Sequence, residues 1–167
     1  MLSLSTHINS LAEALATNAA ILSFANTNYG KLHKIYVNLD LRNPPAEADC
    51  PYIAFYPQLQ SYGRESREQM IEIEVVCCLH DTALITHFCP PPADHTQIPN
   101  LVEYAGVRRL ENFRRTVEKA IAAVAIGNAA ISAGESDYET IDFFPFFMVG
   151  QRFTIIDHLC IGEDPLA

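Results

Sequence analysis

Five side chains of the kinds that bind transition metals fall close together in one stretch: His80, Asp81, His87, Cys89 and His95. Zinc is held by three or four such groups converging at about 2.0–2.3 Å, and a catalytic site leaves one position open for water. A small metal-binding or metal-dependent hydrolase domain using this cluster is therefore one reading of the chain. The spacing matches no usual signature, since neither Cys-x-x-Cys nor His-Glu-x-x-His occurs. The proline-rich stretch that carries His87, Cys89 and His95 would also hold ligands less firmly than a helix face. Ordinary loop histidines, and no metal, are the plainer expectation.

Covalent catalysis by cysteine would need a thiol with a depressed pKa and a base in reach. Cys77, between Val76 and Cys78, suits a small apolar filler on a strand. Cys50 and Cys89 each precede a proline and are expected in exposed loops with no visible activator. No Gly-x-Ser-x-Gly elbow, phosphate-binding loop or dinucleotide fingerprint occurs. Asp40, Asp49, Asp142 and Asp157 offer carboxylates, but nothing in the pattern brings two of them together, and solvated carboxylates are the default. The residues thus predict a protein with no catalytic site and no cofactor.

Composition narrows the partners. The 167 residues fit one domain, residues 1–167, and 49% of them are apolar against 19% charged, the usage of a folded globular chain. The net charge of −9 is spread without long runs of one sign, which disfavours nucleic-acid binding. The one basic cluster, Arg108, Arg109, Arg114, Arg115 and Lys119, is interleaved with Glu111 and Glu118 and reads as a salt-bridged outer helix face. No apolar run is long enough to cross a membrane, and the N-terminus lacks the basic start of a secretion signal, so a cytoplasmic protein with free thiols is expected.

The elements that would position these residues follow from periodicity. Leu4, Ile8, Leu11, Leu15 and Leu22 predict a helix from about Ser5 to Asn26, stopped by Asn28-Tyr29-Gly30. Ile35, Val37, Leu39 and Leu41 alternate with polar residues as in a strand, and a Pro-Pro loop follows. Ile53, Phe55 and Leu59, then Ile71, Ile73, Val75, Cys77 and Leu79, predict two strands joined by the polar tip QSYGRESRE. Pro57 should make its strand an edge or a bulge. The change from Glu72 and Glu74 to Val76 and Cys78 predicts that the far end of the second strand's outer face is covered by a helix or a neighbouring subunit. Thr82–Pro99 reads as a long loop without structure of its own. Asn100 and Glu103 have cap spacing for a second helix through Leu110, Phe113, Val117, Ile121 and Val124 to Gly127. An aromatic run broken by Pro145 precedes a last strand through Phe153, Ile155, Leu159 and Ile161. The fold class expected is α+β, a mainly antiparallel sheet of four to five strands with two long helices packed on one face.

Laid out in this order, the chain resembles the tail terminator, or tail-completion, proteins of long-tailed bacteriophages, especially those of Mu-like prophages. The resemblance rests on an N-terminal helix, a strand leading to NPPAEADCPYIAFYP, the tip QSYGRESRE before MIEIEVVC, a second helix, and the terminal strand RFTIIDHL with the tail IGEDPLA. It implies a structural protein without catalytic residues. Such a protein assembles as a homo-hexameric ring on the tail tube, ends its polymerisation, and joins tube protein to head and neck proteins. The implied setting is the bacterial host cytoplasm during assembly and the virion tail afterwards. It also implies an acidic channel that DNA passes without sticking. Contacts to subunits or tail proteins are expected at Tyr62, Arg64, Glu65 and Arg67 of the hairpin tip and around Phe88 and Ile98, because Tyr and Arg carry large contact area and bidentate hydrogen bonding.

Overall fold

The N-terminal apolar period is carried by two helices, not one. A computed structural model describes residues 4–40, 45–62, 68–88, 100–139 and 144–158. Helix α1 (Leu4–Thr17) buries Ile8, Leu11 and Leu15 along one side, as the spacing predicts. At Asn18 the backbone becomes extended (φ −67°, ψ 119°), and the side-chain oxygen accepts from the N–H groups of Ala20 and Ile21. That cap starts α2 (Ala19–Tyr29) on a new axis, because an Asn side chain competes with the backbone for the donors a continuous helix would use. Gly30 closes α2 at φ 64°, its N–H bonded to the Asn26 carbonyl, at the stop expected from the sequence.

The sheet has five strands in the order β1 (Lys34–Val37), β2 (Tyr52–Tyr62), β3 (Glu68–His80), β7 (Phe146–His158) and β6 (Ala130–Glu139). All neighbours run antiparallel except β1 and β2, which are parallel, so the sheet is mixed. A separate two-stranded ribbon is made by β4 (Leu84–Phe88) and β5 (Asn100–Tyr104). Helix α3 (Ala105–Ala122) follows directly. The class is α+β, with three α-helices among the described residues where two were expected.

Alternation along β3 decides the layering. Ile71, Ile73, Val75, Cys77 and Leu79 are buried with Ile53 and Phe55 of β2, Phe147, Val149, Phe153 and Ile155 of β7, and the apolar sides of the three helices. Each such side chain contributes about 1.5–3 kcal/mol when fully removed from water. The opposite face holds a smaller cluster in which Cys50, Tyr52, Ala54 and Cys78 are buried among Tyr36, Leu39, Tyr56, Val76, Phe146 and Met148. The cover expected over Val76 and Cys78 exists within the chain: Leu39 and Cys50 of the β1–β2 connection supply it, not a helix.

Pro57 acts as expected. The β2–β3 register shifts between Pro57 and Leu59, which is a bulge, and β1 pairs only as far as Phe55, so β2 lies at the sheet edge beyond that point. Two sequence expectations are corrected. Asn100 and Glu103 belong to β5 and do not cap a helix, and α3 begins at Ala105 with Tyr104 before it giving no side-chain cap. The Thr82–Pro99 stretch contains β4, while residues 89–99 fall outside the described ones. Among described residues, no helix is long and apolar enough to cross a membrane.

Candidate functional site

His80 and Asp81 are adjacent in sequence and diverge in space. His80 ends β3 with its ring edge-on to Phe146 at 5.1 Å and Nδ1 3.3 Å from a Glu47 carboxylate oxygen. Asp81 turns the other way, accepting from the Ala83 N–H at 2.8 Å and from the Arg109 guanidinium of α3. His87 lies on β4, and Cys89 and His95 are outside the described residues. Among described residues, no group of three or more His, Cys, Asp and Glu side chains is placed to hold a metal ion.

The cysteines divide by face. Cys77 lies among the core side chains under the helices, and burial pushes its thiol up to about 12, which suits an apolar filler and not a nucleophile. Cys78 is on the opposite face with Cys50. Contrary to the expectation of an exposed loop thiol, Cys50 is 1% exposed, because the 3₁₀ turn Glu47–Asp49 folds the connection back over the sheet. That turn is held by the Asp49 carboxylate, which accepts from the Ala46 N–H and pairs with Lys34 of β1. Beside it opens a cleft of about 420 Å³ lined by Tyr29, Lys31, Glu47, Cys50 and His80 among others. Desolvation raises the Tyr29 hydroxyl well above its ordinary value, so it stays protonated.

The basic cluster on α3 is salt-bridged as expected, although it is not confined to an outer face. Arg108 pairs with Glu103, Arg115 with Glu111, and Arg114 with both Glu111 and Glu118. Arg114 also reaches Gln151 of β7 at 3.2 Å, and Tyr138 of β6 donates to Glu111, so this network ties the helix to the sheet.

Of the interface positions expected from the sequence, Tyr62 ends β2 and Phe88 ends β4 opposite Asn100. Arg64, Glu65, Arg67 and Ile98 lie outside the described residues. Sequence reasoning missed an exposed apolar patch on the β4–β5 ribbon. Leu84, Val102, Tyr104, Val107 and Phe144 are each between 41 and 58% exposed. Leu84 pairs with Tyr104 and Thr86 with Val102, which sets Leu84, Val102 and Tyr104 on one face of the ribbon. The Tyr104 and Phe144 rings lie 5.1 Å apart, and Phe144 meets the buried Phe147 edge-on, so the patch is continuous with the core. The alternation of Val102 and Tyr104 was the available signal, hidden by the helix-cap spacing of Asn100 and Glu103.

No protein-family model matches the chain, and no curated protein matches it by sequence.

Proposed function

We propose that the chain is a structural subunit of a phage or prophage tail that associates with copies of itself as a ring, a hexamer as the resemblance implies, to cap the tail tube, stop its growth and join it to head and neck proteins. The observation that carries the reading is the β4–β5 ribbon with Leu84, Val102 and Tyr104 exposed on one face. A two-stranded ribbon is marginal in water by itself, and an exposed apolar patch on such an element marks a protein contact. The outer half of β2, open beyond Phe55 and blunted by Pro57, is a second surface suited to a regulated neighbour. The reading needs no catalytic residue, cofactor, nucleic acid or membrane.

Light scattering across a concentration series, repeated with tail-tube protein present, tests it. The expected result is a discrete ring-sized species, alone or on the tube, that Leu84→Asp with Val102→Asp reduces to monomer while the circular dichroism spectrum is kept. Arg64→Glu with Arg67→Glu should weaken attachment to the tube in the same way. A wild-type chain that stays monomeric both alone and with tube protein overturns the proposal.

A further inference from the structure

Tyr52 stands opposite Cys78 in the β2–β3 ladder, and Cys50 precedes Tyr52 by two residues on the way into the strand. Both thiols are buried at 1% exposure in one small cluster on the face away from the helices. Residues so placed are separated in sequence by the whole β2–β3 hairpin and brought together only by its register. We propose that Cys50 and Cys78 form a redox-active dithiol, which a peroxide closes to a disulfide that fastens the 46–51 connection to the second face of the sheet.

The two thiols share one buried cluster with Tyr52 and Ala54, and the Cys78 thiol has the Leu79 carbonyl as an acceptor at 3.8 Å. The neighbouring Cys78 thiol and, more weakly, the Lys31 ammonium lower the Cys50 thiol against a desolvation that raises it, while Cys50 and burial raise that of Cys78, so Cys50 is the group that loses its proton first. Cys50 also lines the 420 Å³ cleft, which is wide enough for a small peroxide. Besides Tyr29, the remaining ionisable side chains at that wall are Glu47 and His80, which face each other at 3.3 Å. Asp49 is engaged by Lys34.

The chemistry balances with hydrogen peroxide as the two-electron oxidant. The Cys50 thiolate attacks one peroxide oxygen, the O–O bond breaks, and the departing hydroxide takes a proton to leave as water, giving a sulfenic acid. The Cys78 sulfur then attacks the Cys50 sulfur, its proton and the sulfenic hydroxyl leave as a second water, and the S–S bond forms. A thiol such as dithiothreitol reverses the change by exchange. Cys77 lies on the other face, so it takes no part.

The experiment uses the full chain, reduced, freed of reductant, and treated with equimolar hydrogen peroxide, then alkylated in denaturant and mapped by fragmentation mass spectrometry. The expected product has two fewer alkylatable thiols and a cross-linked peptide joining Cys50 to Cys78. Its Tm should be higher by about 5–15 °C, because the link closes a loop as long as the hairpin. Cys77→Ala keeps the cross-link and Cys50→Ser abolishes it. A peptide joining Cys50 to Cys77, oxidation of Cys50 to sulfinic acid without a cross-link, or unchanged thiols after treatment would overturn the proposal, and the wild-type map decides this even if a variant fails to fold.

Discussion

The Asp81 carboxylate, only 4% exposed, pairs with the Arg109 guanidinium, which is 40% exposed. This contact ties the exit of β3 to α3, and it shows how the residue beside His80 came to serve the scaffold. The partners differ in what they leave behind when separated. Arg109→Ala strands a buried carboxylate with only the Ala83 N–H, whereas Asp81→Asn keeps an acceptor for that N–H and leaves a guanidinium that water can reach. Arg109→Ala should therefore cost about 2–4 kcal/mol, and Asp81→Asn less than half of that. Urea denaturation of both variants gives the comparison.

Acid should act through Glu111. Its hydrogen bond from Arg114, helped by Tyr138 and Arg115, holds its carboxyl at about 2 against an ordinary 4.5. A carboxyl depressed in the folded state contributes stability that is complete above pH 4.5 and is lost as the pH falls from there towards 2. Thermal melts between pH 2 and 6 should show that decline, and Glu111→Gln should flatten it while lowering stability at neutral pH.

His33 predicts a second and milder slope. Burial lowers its proton affinity below the ordinary 6.5, more than the Leu15 backbone raises it. The unfolded chain then takes up the proton first, so the contribution is complete above pH 6.5 and falls as the pH drops below it. Replacing His33 by Gln should reduce the pH dependence of the urea midpoint just below pH 6.5.

Two glycines should respond differently to alanine. A Cβ at Gly106 of α3 would stand 2.3 Å from the buried Phe147 ring, whereas one at Gly150 would meet the end of the Glu74 side chain at 2.5 Å. The ring is packed in the core and the carboxylate can swing aside. Gly106→Ala should cost about 1–3 kcal/mol despite the better helix propensity of Ala, and Gly150→Ala should change the midpoint by less than about 1 kcal/mol.

Elements with a strong local period were legible in the sequence. The inward residues of β3, from Ile71 to Leu79, and those of α3, from Leu110 to Ile121, are buried as their spacing predicts. The gap in the apolar period between Leu15 and Leu22 is visible in the sequence, but the Asn18 cap within it is not, because its competing hydrogen bonds depend on how the chain resumes after it. Strand β6 was hidden, since AISAGESDYE is mostly exposed and offers no alternation to read. The shared cluster of Cys50 and Cys78, and the patch at Leu84, Val102 and Tyr104, arise from pairing between distant segments, which no single-segment pattern encodes.

Cys77 and Cys78 are neighbours on β3 that point to opposite faces. Side chains on a strand have a period of two, so a slip of β3 by one residue would exchange them, placing Cys77 beside Cys50 and Cys78 among the helices. The sheet thus carries a built-in parity label, and the identity of the thiol that meets Cys50 reports whether the hairpin has been threaded in its native register.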